Sequence, residues 1–225
     1  MTTLQIPPSY TDALQQTSIL ALTGRPGVGK DACAAVLAQS LGYRTIAFAD
    51  LLRREVAAAW RVDERMLTDR PTKEWAIPAL AAGMCAESGF LTWCAEGGES
   101  LHTARSPRWA LQNWATWRRR FDPDYFARPV GQWILREMRA GWKNFVVTDL
   151  RFGNELAMLQ AIGARVIRVH RQEVTGLADD TAFHESERSQ MRIPADFDIV
   201  NDGTLQALAS AVLSCPAVEH RVAHA

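Results

Sequence analysis

Ser18-Ile19-Leu20-Ala21-Leu22-Thr23 runs directly into Gly24-Arg25-Pro26-Gly27-Val28-Gly29-Lys30-Asp31, and this stretch decides the fold. Its first six residues form a short apolar run ending at a glycine-rich turn, the pattern of a parallel strand buried on both faces. The next eight fit the phosphate-binding loop G-x-x-x-x-G-K. In that loop glycines let backbone N–H groups curl around a β-phosphate, and the following helix N-terminus adds positive potential. Lys30 stands where it reaches the β- and γ-phosphates. The pattern arises by accident in a chain of this composition with a chance of roughly 0.01, so a purely structural glycine turn is the weaker reading. Asp31 occupies the position where a serine or threonine hydroxyl usually binds Mg²⁺. A carboxylate is a good hard oxygen ligand and also a good helix cap, and both roles are open to it.

Outward from the loop, the alternation of strand and helix continues. Residues 31–41 read as a helix, 43–49 as a second strand, and 51–61 as a second helix with Asp50 as its N-cap. This alternation marks an α/β fold. It breaks between about Val62 and Arg120, where strand signal is sparse and several of the eight tryptophans gather, so residues 62–120 are the candidate insertion. Asp122-Pro123-Asp124 predicts a helix start, aspartate as N-cap and proline at the first helical position, running over 125–140. Strands are expected at 144–148, 165–169 and 198–200, and helices at 155–162 and 205–213. Residues 18–61 and 121–213 are therefore read as one core.

A chain of 225 residues suits one sizeable domain with an elaboration rather than two full domains. Hydrophobic residues at 48% and charged residues at 22% exclude a disordered, collagen-like or coiled-coil chain. The 25 basic and 25 acidic residues cancel, which removes the bulk attraction that a nucleic-acid or anionic-membrane partner would need. Only Lys30, Lys73 and Lys143 are lysines. The arginine excess fits phosphate recognition through a planar fork, and codon bias explains the total equally well. Cys33, Cys85, Cys94 and Cys215 form no C-x-x-C pair, and the histidines add no metal-ligand spacing, so reduced structural thiols are expected. With no signal-peptide pattern near Met1 and no apolar run of membrane-spanning length, a cytoplasmic protein is expected.

Val146-Val147-Thr148-Asp149 is a hydrophobic strand ending in an acid, the expected form of the second magnesium-binding element beside a phosphate loop. No Asn-Lys-x-Asp guanine-reading motif is present, and the chain is short for a motor or large GTPase. A small nucleotide kinase fits the size. Such an enzyme needs two substrate sites, arginines for donor and acceptor phosphates, and a lid that keeps water from the γ-phosphoryl.

Further residues extend the pattern: Phe48-Ala49-Asp50 with Leu51-Leu52, Arg108 with Leu111-Gln112, Thr116, Arg119-Arg120 and Asp122-Pro123-Asp124-Tyr125. Thr148-Asp149 with Arg151 and Glu155, Gly163-Ala164, Arg171, His184-Glu185-Ser186-Glu187 and Asn201-Asp202-Gly203-Thr204 complete it. In this order, and with the Gly29-Lys30-Asp31 variant of the loop, the sequence resembles the phage-type deoxynucleoside monophosphate kinase family. That fold is shared by phosphomevalonate kinases of the animal type. The resemblance covers the chain from Ser18 to about Leu213. Ala115, Phe126 and Arg53 depart from residues common in the family, which leaves the accepted base open.

The resemblance implies a P-loop three-layer α/β/α fold around a parallel five-stranded sheet, a helical insertion for the monophosphate, a lid over 172–195, and the use of ATP and Mg²⁺. Gly24, Arg25, Gly27, Val28, Gly29, Lys30, Asp31 and Ala32 would hold ATP, with Asn201-Asp202-Gly203 approaching the adenine through backbone groups. Lys30, Arg151 and Arg171 would serve catalysis, Arg171 from the lid base, and Asp149 with Asp31 would place Mg²⁺. Asp50, Arg53, Arg108, Gln112, Trp114, Arg119, Arg120 and Tyr125 would surround the incoming nucleotide. The implied activity is phosphorylation of a deoxynucleoside 5′-monophosphate, often for viral DNA synthesis and sometimes of a modified pyrimidine, by a homodimer. The alternatives are a same-fold kinase of another phosphorylated small molecule, such as phosphomevalonate, and an ATP-binding regulator without transfer.

Several of these residues carry a plainer reading. Arg119 and Arg120 suit a solvated helix end, and Trp109, Trp114 and Trp117 at helical spacing suit packing as well as base stacking. His184 fits a lid hydrogen bond better than a general base, because the acceptor phosphate is already an anion at neutral pH.

Overall fold

The structure is a computed structural model that describes residues 11–69, 71–171 and 192–219. The described residues pack as two compact units: one formed by residues 11–48 together with 127–171 and 192–219, the other by the described residues of Ala49–Phe126.

The first unit is built on five strands, β1 (Ser18–Thr23), β2 (Arg44–Ile46), β3 (Asn144–Val147), β4 (Arg165–His170) and β5 (Phe197–Val200). They form one parallel sheet in the order β2-β3-β1-β4-β5. All six residues of β1 are buried, because the central strand is covered on both faces. The period of two along each strand sorts the core into two halves. Ile19, Ala21, Phe145, Val147 and Val166 point to one face and pack against helices α7 (Ala127–Arg139) and α8 (Gly153–Ala161). Leu20, Leu22, Val146, Ile167, Val169 and Ile199 point to the other, against α2 (Lys30–Leu41), α9 (Leu205–Leu213) and α10 (Pro216–Glu219). The result is the three-layer α/β arrangement with a five-stranded parallel sheet that was expected, with the glycine-rich loop between β1 and α2. A short α1 (Thr11–Gln15) precedes β1.

The second unit contains α3 (Phe48–Trp60) beyond its first residue, α4 (Arg65–Thr68), two 3₁₀ turns at Pro78–Leu80 and Ala82–Met84, α5 (Ser88–Glu96) and α6 (Pro107–Phe121). Ser106 caps α6 by accepting the Trp109 N–H at 3.2 Å, with Pro107 at the first helical position. The core of this unit is aromatic. Fully buried Phe90 lies 5.2 Å from Trp60, 5.4 Å from Trp114 and 5.7 Å from Trp117, centroid to centroid, in edge-on and tilted geometries that favour ring quadrupoles.

Two helix starts differ from the sequence expectation. Helix α3 begins at Phe48, so Asp50 sits inside its first turn and pairs with Arg53 instead of capping. The Phe48 N–H is taken at 2.8 Å by Asp149 Oδ1, so the end of β3 supplies the missing acceptor. Asp122-Pro123-Asp124 also fails to open a helix. Asp122 closes α6 through its N–H to the Arg118 carbonyl, then accepts from the Asp124 and Tyr125 N–H groups in a turn, and α7 starts only at Ala127. Most of the expected lid, including His184-Glu185-Ser186-Glu187, lies outside the described residues. Its last residues are part of the sheet unit: Ile193 is buried in the core, and its carbonyl accepts from Arg168.

Candidate functional site

The loop after β1 is shaped by the strands beside it. Gly24 has φ +132°, and a Cβ there would lie 2.3 Å from the Val169 carbonyl oxygen of β4. Gly29 has φ +106°, and its Cβ would lie 2.5 Å from the Asn201 side-chain nitrogen just beyond β5. Backbone conformation favours glycine at both positions, and at Gly24 the strand backbone also leaves no room for a Cβ. Between them Val28 buries its side chain in the core while Arg25, Pro26 and Gly27 stay exposed. The loop is thus fixed at its root and at its helix end, and open along its crest.

Lys30 opens α2 and folds back over the loop. Its ammonium donates to the Gly24 carbonyl at 2.5 Å and the Arg25 carbonyl at 2.9 Å, donors that a phosphate oxygen would also attract. Gly29, left-handed, holds the N-cap position of the 12-residue α2. Asp31 is therefore not the N-cap. It is exposed in the first helical turn, where its charge suits the helix dipole. Ala32 follows it, half-buried.

Because β3 pairs with β1, its C-terminal end lies beside the loop root. The Leu150 N–H donates to the Leu22 carbonyl, and fully buried Thr23 donates its hydroxyl to the Leu150 carbonyl, both at 3.1 Å. Asp149 stands between these anchored residues, half-buried, its Oδ1 held by the Phe48 N–H. The next turn is held by Glu155, a buried carboxylate that accepts the N–H groups of Arg151 and Phe152 at 2.9 and 3.1 Å at the start of α8. Arg151 is carried on that turn, and Arg171 is exposed one residue past β4. Mg²⁺ takes one or two carboxylates and completes its shell with water and substrate phosphate oxygens. Asp149 at the loop root and Asp31 in the first turn of α2 fit that demand. Among the described residues no group of three or more His, Cys, Asp or Glu is gathered as an all-protein cage.

The residues expected around an acceptor fall in Ala49–Phe126. Asp50 and Arg53 pair at 2.9 Å, and Arg108 pairs with Glu74. Gln112 is half-buried on α6, Arg119 lies 5.1 Å above the Phe126 ring, and Arg120 is exposed. Two expectations need correction. Trp114 is 2% exposed, packed among Trp60, Phe90 and Trp117, and offers no ring face to a base. Tyr125 is also committed elsewhere: its hydroxyl donates to Glu55 Oε1 at 2.7 Å and its ring lies 5.1 Å from the Arg118 guanidinium.

These corrections expose a group that the sequence reading missed. Glu55 on α3 accepts from Trp114 Nε1 at 2.8 Å and from the Tyr125 hydroxyl, and faces Arg118 Nε at 3.4 Å. The Arg118 guanidinium lies 4.6 to 5.1 Å from the rings of Trp114, Trp117 and Tyr125. The i,i+4 spacing of Trp114 and Arg118 was readable. Their convergence on Glu55 was not, since nothing local ties α3 to α6. Burial, then the hydrogen bond from Tyr125 to Glu55, pushes the Tyr125 phenol above its ordinary range.

All four cysteines are buried and free. Burial pushes the thiols of Cys33 and Cys94 up to about 11, so they are packing groups rather than nucleophiles. Among the described residues no helix is long and apolar enough to cross a membrane.

A family model described as deoxynucleotide monophosphate kinase matches residues 117–212. By that match the chain resembles a nucleotide kinase family. Similar solved structures include a dephospho-CoA kinase from Campylobacter jejuni, at 13% identity and TM-score 0.47, with 88% of this chain and 95% of that chain covered. Another is a sugar kinase from Janibacter sp., at 14% identity and TM-score 0.43, with 90% and 96% covered. No curated protein matches this sequence.

Proposed function

We propose that the protein is a kinase that transfers the γ-phosphoryl group of ATP to the 5′-phosphate of a deoxynucleoside monophosphate, giving ADP and the diphosphate. The observation that carries this reading is the loop from Gly24 to Asp31, fixed between β1 and α2 with Lys30 folded over it. The family match over residues 117–212 supports the choice of acceptor.

In this reading the loop N–H groups and the N-terminus of α2 bind the β-phosphate of ATP, and Lys30 exchanges its two carbonyl partners for β- and γ-phosphate oxygens. Arg151 and Arg171 stabilise the negative charge on the transferring group. Mg²⁺, when bound, neutralises charge across the β- and γ-phosphates, and Asp149 with Asp31 would hold it. In the helical unit Arg53, Arg119 and Arg120 hold the acceptor phosphate, with Asp50, Arg108 and Gln112 alongside. The acceptor is already anionic, so catalysis needs positioning and charge stabilisation rather than a general base.

The test is ADP release by the full chain with Mg-ATP and a panel of dTMP, dGMP, dCMP and 5-substituted pyrimidine monophosphates. Release that depends on at least one of them is expected, and the preferred acceptor identifies the base. A flat response across the panel overturns the proposal, and release with phosphomevalonate instead would transfer the same chemistry to another acceptor.

A further inference from the structure

The side chain of Asn201 reaches the loop and bonds it. Its amide nitrogen donates to the Val28 carbonyl at 2.8 Å. A carbonyl oxygen only accepts, so the nitrogen end of the amide has to face it. The anchor behind this contact is stiff, because the Asn201 N–H donates to the His170 carbonyl at 2.8 Å and extends the pairing of β4 with β5 by one residue.

The contact has a consequence for the next peptide group. In a trans peptide the carbonyl of one residue and the N–H of the following residue point in opposite directions. Fixing the Val28 carbonyl on Asn201 therefore turns the Gly29 N–H away from β5. Gly29 is left-handed, and Lys30 begins the right-handed α2. That alternation turns successive N–H groups to one side and makes an anion-binding concavity. If the Val28–Gly29 peptide flipped, it would put a carbonyl oxygen where the phosphate needs a donor. Gly29 owes its identity to its left-handed φ of +106°, and its Cβ position lies 2.5 Å from the Asn201 amide nitrogen.

We infer that Asn201 is a positioning residue of the triphosphate site: its side chain locks the Val28–Gly29 peptide so that the Gly29 N–H faces the phosphates. The role differs from a backbone approach to adenine, and it rests on the proposed reading of the loop. Asn201 touches no reacting atom. It acts through Val28, and the loop is preorganised by the sheet rather than by its own sequence alone.

Asn201→Leu tests it, since leucine keeps the shape and neutrality of the side chain and removes the donor. Asn201→Ala serves as a second variant if leucine perturbs folding. Dissociation constants of full-length wild type and variants are measured by calorimetry for ATP and for inorganic tripolyphosphate, alongside Tm and the KM for the acceptor. Both triphosphates are expected to weaken together by about tenfold, the equivalent of one lost hydrogen bond, with the acceptor KM unchanged and Tm lowered by no more than the loss of that one bond. Weakening of ATP alone assigns Asn201 to the base and overturns the inference, as does unchanged binding of both. Failure of the wild type to bind either triphosphate overturns the reading of the loop itself, a result distinct from the other two.

Discussion

The two units hold their polar side chains in place by different means. In the sheet unit the candidate site is tied to backbone: Lys30 to two carbonyls, Asp149 and Glu155 to N–H groups, Asn201 to the Val28 carbonyl. In Ala49–Phe126 the principal contacts run from side chain to side chain, and Glu55 meets Trp114 and Tyr125 across 59 and 70 residues of sequence. A backbone-held site is set by φ, ψ and strand pairing, so it tolerates no change in the few residues that fix the backbone. A side-chain network is set by which partners arrive, so its members weaken one at a time. Substitutions in the two units should therefore differ in kind: loss of triphosphate binding or turnover in one, graded loss of stability alone in the other.

The sharpest break in that comparison is Lys30→Ala. Removing one charge-stabilising donor typically lowers a rate by about 10²–10³, and a fall at least that large in kcat is expected with no loss of Tm. Near-wild-type turnover would refute the role of Lys30. Next comes Gly24→Ala. Its φ of +132° and the Val169 carbonyl 2.3 Å from the new Cβ leave a methyl group nowhere to go, because the obstacle is strand backbone. Strain of about 3 kcal/mol is expected, read as a lower denaturation midpoint together with lost ATP binding in calorimetry. Gly27→Ala is the internal control: nothing lies within 4 Å of its Cβ, so it retains only the cost of its positive φ.

The same division explains how much of the molecule was legible. The apolar run Ser18–Thr23, the glycine spacing and Lys30 gave the strand, loop and helix almost to the residue, because each signal is local. The start of α3 was missed because its acceptor, Asp149, lies 101 residues away. Asp122-Pro123 carries a strong local helix-start signal, yet Asp122 spends its acceptors on a turn that leaves α6. At Trp114 the helical spacing could not distinguish packing from stacking, and burial among Trp60, Phe90 and Trp117 decided it. Glu55 carried no signal at all. Its importance exists only once α3, α6 and the Asp122–Tyr125 turn have met.

Glu55→Ala sharpens the comparison from the helical side. It leaves the Trp114 indole N–H and the Tyr125 hydroxyl without their common acceptor and the Arg118 guanidinium without the carboxylate it faces. Breaking a buried ion pair destabilises by roughly 3–5 kcal/mol. The side chains here are 18% and 28% exposed, and water replaces part of the loss, so about 2 kcal/mol is expected. Six of the eight tryptophans lie between Trp60 and Trp117, which makes denaturation followed by tryptophan fluorescence a direct report on this unit. An unchanged midpoint would sink the view that Glu55 joins α3 to α6.

The smallest effect is expected for Tyr125→Phe, and its pH dependence carries the information. The ring contact with Phe126, 5.0 Å between centroids, survives, and only the 2.7 Å hydroxyl bond to Glu55 is lost. A net cost of about 1 kcal/mol follows at neutral pH. Burial and the bond to Glu55 keep the phenol protonated in the folded protein beyond its ordinary value of 10.0. The unfolded chain releases that proton first as pH rises, so it binds fewer protons than the folded state and stability falls with pH. The phenylalanine variant has no such proton to lose. The stability gap between wild type and variant should hold below about pH 9 and narrow above about pH 10, as measured by urea denaturation across that range. A gap constant through pH 11 would mean that the hydroxyl is not held by Glu55.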